Sequence, residues 1–291
     1  MNQSDKFYAE ENQKTESFDK DAWSAAKRQE RERIFSLIDD TAIRAAKDGD
    51  IFRSYLNVQS RFDRYSVSNA LLIAAQMPEA TKLRGFDTWK ESGVSLKKGT
   101  VGINILAPGE EYKREDGGIG VSYNIKKVFD ISQTTSINSK TNDPQTDLRA
   151  ALKAIINSNI CPIAISTELP DNIAAAYDKD KKTVFIRQGM DGAEIFRSLS
   201  QELAHAYMDT GNYSRRDCDF PAYCTAYILC RRVGVSVEPF RFDRMPAHMQ
   251  TMDAHAVRSE LGRIRSAANA LYATISKDLN RTQDRKSRET R

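Results

Sequence analysis

The stretch SLSQELAHAYMD, Ser198–Asp209, is one residue short of a metal-binding helix. In the pattern H-E-x-x-H, two histidines one helical turn apart supply two zinc ligands, and the glutamate between them takes the proton from the metal-bound water. Here the pattern reads Gln201-Glu202-Leu203-Ala204-His205. Glu202 stands at the general-base position and His205 at the second ligand. Gln201 stands at the first, where an amide oxygen is a weak, neutral donor for zinc beside an imidazole nitrogen. Around the motif, GAEIFRSLSQELAHAYM reads as a helix with Ile195, Leu199, Leu203 and Ala206 on one apolar stripe and Gln201 and His205 on a shared flank.

Elements of mixed type lie on either side. Upstream, a helix over Leu148–Ser158, a strand at Pro162–Ser166 and a hairpin in AYDKDKKTVFIRQG (Ala176–Gly189) lead into the motif helix. Downstream, the reading places a helix from Phe220 to Arg232, stopped at Gly234, and a long one over Met252–Leu279. In the first half, apolar residues at Ile34, Leu37, Ile38 and Ile43 predict a helix within Asp21–Asp48, followed by one over Ile51–Gln59. SNALLIAAQM forms a third helix, capped at Ser66 or Ser68 and closed by Pro78. A short helix surrounds Trp89, and VGINIL (Val101–Leu106) and GVSYNIKKVFDIS (Gly120–Ser132) read as an antiparallel pair with a long tip.

The 291 residues are enough for two cores. The expected fold class is α+β: an N-terminal domain of helices and antiparallel sheet over residues 21–133, and a C-terminal helical domain with a small sheet over 148–280. Residues 134–147 (TTSINSKTNDPQTD), poor in core formers, read as the linker, residues 1–20 as a disordered tail and 281–291 as a basic tail. The net charge of +4 permits a nucleic-acid partner without requiring one. Four cysteines, Cys161, Cys218, Cys224 and Cys230, form no C-x-x-C pair and no signal-peptide core opens the chain, so a reducing cytoplasmic setting is expected. No apolar run reaches the roughly 18 residues of a membrane span, so no membrane partner is expected.

FRSLSQELAHAYMD followed by FPAYCTAYILCRRVGV resembles the metallopeptidase-like, zincin-type domain of the ArdC family of antirestriction proteins. YSVSNALLIAAQM, GFDTWKESGVSLKKGTVGINIL and KKVFDIS resemble that family's N-terminal single-stranded-DNA-binding domain. The resemblance spans about residues 50 to 275, with both domains in order. It implies a zinc site with a third ligand, a glutamate, at the position that Tyr223 occupies here. Two of three ligand positions, Gln201 and Tyr223, are then not competent, which implies an inert domain with no cofactor, although zinc belongs to the family. A phenol with an ordinary pKa near 10 is a poor zinc ligand. A rewired site would draw on Asp209, Cys218, Asp219 or Cys224 beside His205. Without a metal, Glu202 needs a hydrogen-bond donor, for which Tyr223 and Tyr227 are the candidates.

Basic side chains interleaved with the aromatics Tyr65, Phe86 and Trp89 mark the candidate DNA-binding residues: Arg61, Arg64, Lys82, Arg84, Trp89, Lys90, Lys97, Lys98, Lys126 and Lys127. Cations along phosphates and rings under bases are what single strands require, while Asp63, Asp87, Glu91, Glu110 and Glu111 dilute the field. The expected function is an antirestriction-like, single-stranded-DNA-binding protein of a plasmid or other mobile element. Two alternatives stand beside it. One is an active metallopeptidase with unusual ligands; the other is a non-catalytic partner-binding protein that holds a peptide along the strand TVFIRQ.

Overall fold

The computed structural model describes residues 19–113, 117–135, 147–158 and 160–289, with side chains as far as residue 280. The expected tail lies, up to residue 18, outside these residues, as does linker 136–146. Residues up to Ser36 form one unit, and Leu37–Arg291 form a second, compact one. Helix α1 covers Lys20–Lys47, and α2 (Gly49–Arg61) follows after Asp48, whose carboxylate caps the N–H groups of Asp50 and Ile51. Gly49 is required there, because any Cβ would fall on the carbonyl of Phe242. Ser66 caps α3 (Val67–Gln76), as its position before SNALL predicts.

The first sheet has the order β1-β3-β2, all antiparallel, from β1 (Leu83–Gly85), β2 (Ile103–Lys113) and β3 (Ile119–Asp130). A short helix, α4 (Phe86–Glu91), leaves β1 directly. The long hairpin matches the expected antiparallel pair, whereas the three residues of β1 are too few to show a period in the sequence. As an edge strand, β2 would present unpaired backbone groups, but α3 covers them. The Asn69 amide accepts from the Leu106 N–H at 2.7 Å and donates to the Leu106 carbonyl at 2.8 Å. Two turns on, Gln76 does the same to Asn104, at 2.9 and 3.0 Å. Two side-chain amides thus stand in for a fourth strand. At the end of β3, buried Asp130 accepts from the N–H groups of Thr81, Lys82 and Ser132, tying the chain before β1 to the turn after β3.

Helix α5 (Leu148–Ile156) opens the second half. The second sheet has the order β4-β6-β5, from β4 (Ile163–Ser166), β5 (Ala175–Asp178) and β6 (Thr183–Arg187). β4 runs parallel to β6 and β5 antiparallel to it. This corrects the expectation that TVFIRQ is a peptide-holding edge: β6 is the central strand, paired on both sides, and has no edge to offer.

Helix α6 (Gly192–Met208) follows, then α7 (Arg215–Val233), a single turn α8 (Ala247–Gln250) and α9 (Ala254–Glu289). In α6, Phe196, Leu199 and Leu203 are the buried stripe, with Phe196 in place of the expected Ile195. α7 starts five residues before its expected start at Phe220. Ser214 Oγ caps the Asp217 N–H, and the helix carries Pro221 in its interior before closing on the left-handed Gly234. α9 runs through most of the expected basic tail, its backbone helical to Glu289.

The two halves are joined within the second unit. Tyr227 donates to Asn57 Oδ1 at 2.7 Å, and Arg232 to the carbonyls of Gln59 and Ser60 at the end of α2. Arg265 and Asn269 on α9 hold the carbonyls of Tyr65 and Asp63. Fixed cations and amides therefore close the C-terminus of α2, where backbone carbonyls lack helical partners.

Candidate functional site

Helix α6 carries Glu202 and His205 on its buried side, while Gln201 is half-buried. Three elements then converge on Glu202: α6 itself, the edge strand β5 and the first turn of α7. The Arg215 guanidinium, at the first position of α7, grips Glu202 through two parallel hydrogen bonds, Nη2 to Oε1 at 2.7 Å and Nη1 to Oε2 at 2.9 Å. The backbone N–H of Tyr177 on β5 adds a third to Oε2 at 2.7 Å. Such a fork is the strong geometry for a carboxylate, and the hydrogen bonds to Glu202 push the Arg215 pKa further up. The partners proposed from sequence, Tyr223 and Tyr227, lie elsewhere. Tyr223 accepts the Arg241 N–H at 2.6 Å and packs on Phe240 and Phe242, while Tyr227 serves Asn57.

His205 is fully buried. Its Nδ1 lies 3.0 Å from the Tyr213 hydroxyl. Its Nε2 lies 3.3 Å from Asp219 Oδ1, one helical turn beyond Arg215, but the two are too poorly aligned for a hydrogen bond. Burial above all, and the Arg215 charge next, push the His205 pKa down to about 4 against the pull of Asp219, so the ring is neutral at pH 7. Burial likewise raises the Tyr213 phenol to about 12. Arg215 Nε also faces Asp219 Oδ1, at 3.7 Å. Asp209 is drawn away from His205: its Oδ2 takes the Lys182 ammonium at 2.6 Å and the Tyr177 hydroxyl at 2.9 Å. The Lys182 bond holds its carboxyl below the usual range in spite of burial.

These residues do not make the zinc site that belongs to the family the sequence resembles. Among the described residues, no three His, Cys, Asp or Glu side chains are grouped so as to hold a metal ion. Gln201 and Tyr223 are not ligands of the needed kind, and burial raises the Tyr223 phenol further from ionisation. Glu202 accepts three hydrogen bonds, two of them from the permanent cation Arg215, so the carboxylate at the base position is committed to protein donors. Of the rewiring candidates, Asp219 is the one brought to His205. Cys224 is completely buried inside α7 with its thiol pKa pushed well up by that burial, and Cys218 faces Arg263.

The residues singled out for nucleic acid separate into two sets. Lys82, Lys90, Lys98, Lys126, Lys127 and Arg64 are exposed. Lys97 is exposed but its Nζ donates to the Ser132 carbonyl at 2.7 Å, Arg61 donates to the Pro78 carbonyl, and Arg84 bonds Ser92. Trp89 corrects the reading: it is 3% exposed, its Nε1–H donates to the Phe129 carbonyl at 2.9 Å, and the Arg84 guanidinium covers it at 5.1 Å. A ring enclosed in this way is not available to a base. Around the first sheet, the exposed aromatics are instead Phe86 on α4, expected from sequence, and Tyr112 and Tyr123 on the hairpin, which were not.

Two crystal structures of the antirestriction protein ArdC from plasmid R388 share this architecture. The metal-free form gives a TM-score of 0.53 at 16% identity, over 73% of this chain and 86% of the other. The Mn(II)-bound form gives 0.52 at 17% identity, over 72% and 85%. The chain has an ArdC-like fold. At such identity the likeness is one of fold. No protein-family model and no curated protein sequence matches the chain. The ArdC of the second crystal structure holds Mn(II), whereas on this ArdC-like fold Glu202 is bound to a guanidinium.

Proposed function

We propose that the chain is an antirestriction-like protein of a plasmid or related element that holds single-stranded DNA on residues 21–133 and carries a non-hydrolytic zincin-like module over 148–280. The observation that supports the DNA role is the outer half of the β2–β3 hairpin. Alternate residues of a strand share a face. Ile119, Val121 and Tyr123, 68%, 39% and 47% exposed, therefore form one bare apolar strip. Lys127 lies at its inner end, and Lys113, paired with Ile119, at its outer end. A ring and aliphatic surface between cations suits unpaired bases threaded between phosphate contacts, and does not suit a duplex, whose base faces are stacked away. The fold likeness to ArdC supports the same reading.

The non-hydrolytic reading is supported by the Arg215–Glu202 fork. The fork also weighs against the reading as an active metallopeptidase, because the carboxylate at the base position is already bound by a guanidinium.

The test is retention of a fluorescent oligonucleotide by the full-length chain across a salt series. Single strands are expected to bind more tightly than duplex, with affinity falling steeply as salt rises. Lys113→Ala with Lys127→Ala flattens the slope by up to about 1.4 log units per log of salt if both contact single-stranded phosphates. Equal affinity for duplex and single strand, or binding indifferent to salt, rejects the DNA role and assigns the apolar strip to a protein partner.

A further inference from the structure

The pair His205 Nε2 and Asp219 Oδ1 has the separation of two ligands on one ion. Donors each about 2.1 Å from a tetrahedral Zn(II) lie about 3.4 Å apart, and these lie 3.3 Å apart. Nε2 is wholly buried and has no aligned hydrogen-bond partner. Such buried orphans are rare, and each calls for an explanation. The other ring nitrogen has its orienting group in place, because the Tyr213 oxygen at 3.0 Å can accept an Nδ1–H and leave the Nε2 lone pair facing Asp219. A third donor, Glu202, is joined to the same neighbourhood by one side chain, Arg215, which bonds Glu202 and faces Asp219.

We propose that Arg215 is a resident cation that closes a latent divalent-metal site: in its presence His205 and Asp219 take up no ion, and in its absence they bind Zn(II) together with the released Glu202. The ligand set is one imidazole and two carboxylates, a combination zinc accepts. The guanidinium excludes the ion in two ways. It repels a second positive charge a few ångströms away, and it occupies the carboxylate that completes the set. The site differs from the one the H-E-x-x-H pattern describes. The ligand on α7 is Asp219, one turn before Tyr223, and the first position of the motif, Gln201, takes no part.

The experiment uses full-length chains and Zn(II) titrated against a chromophoric chelator. Arg215→Gln, which keeps the bulk and removes the charge, is expected to bind one Zn(II) per chain, tighter than the wild type by about tenfold or more. Adding Asp219→Ala or His205→Ala to it abolishes the gain. Thermal unfolding with and without Zn(II) gives a second readout that persists even if Arg215→Gln is partly unfolded: its midpoint rises with Zn(II), and that of the wild type does not. Equal zinc affinity of wild type and Arg215→Gln overturns the proposal, as does a gain that survives Asp219→Ala. This outcome is separable from the DNA reading, because Arg215→Gln leaves single-strand retention unchanged whether or not zinc binds.

Discussion

Arg215 and Glu202 meet through two hydrogen bonds of 2.7 and 2.9 Å, and the carboxylate that would serve as a base is 5% exposed beneath the guanidinium. Breaking such a pair from one side is worse than removing it, because the buried charge is left alone. Arg215→Ala is expected to destabilise the fold by about 3 kcal/mol, the low end of the usual range because Arg215 is itself 43% exposed. Arg215→Ala with Glu202→Gln should lose less than the single change. Urea unfolding of the four proteins of this cycle measures it, and additive losses would show that the two side chains are not coupled.

The neutral His205 makes stability depend on pH. Its pKa falls from 6.5 to about 4 on folding, so below 6.5 the unfolded chain binds the proton first. The contribution is complete above pH 6.5 and is lost as pH falls towards 4, about 3 kcal/mol in all at 1.36 kcal/mol per unit. His205→Gln should flatten the unfolding free energy between pH 6.5 and 4 relative to the wild type. The same steep fall in the variant would place the effect on other groups.

Asn69 bridges the N–H and carbonyl of Leu106, so Asn69→Leu strips two backbone groups at a buried edge. The expected cost is about 2 to 4 kcal/mol. Hydrogen exchange at the Leu106 amide should accelerate selectively; unchanged protection there would mean that the edge is covered by something else.

Trp89 and Tyr123 are expected to behave in opposite ways. Trp89→Ala hollows the core and lowers stability by about 3 to 5 kcal/mol. Tyr123→Ala leaves stability nearly unchanged and weakens single-strand binding by about 1 to 3 kcal/mol with the salt slope preserved. Anisotropy and chemical unfolding on both variants check this. A stable Trp89→Ala that has lost DNA binding would restore the tryptophan as the stacking residue.

The helices and the long hairpin were legible because their signals are local. Ser66 before an apolar run and alternation around Val184 and Ile186 need no distant partner to be read. Trp89 failed for the reason that burial is not local: its enclosure by Phe129 and Arg84 depends on how β1 and β3 pair. The largest miss at the site is the first turn of α7. The expected start at Phe220 lies one residue before Pro221, and proline is at home in the first turn of a helix. The competing signal, Ser214 with Asp217 three residues later, marks the true start. That turn carries Arg215 and Asp219, so misplacing it hid the partner of Glu202, although Asp219 was already a candidate neighbour of His205. β6 was misjudged as an edge because strand order is set by pairing, and TVFIRQ carries no mark of having neighbours on both sides.

The Arg215 guanidinium, in place of a metal ion, is expected to answer the charge of Glu202. The metal content of the wild-type chain, purified without chelators from medium supplemented with manganese and zinc, tests it most directly. Well under one equivalent of either metal, unchanged in His205→Ala, is the expected result. One equivalent per chain that disappears in His205→Ala would contradict it.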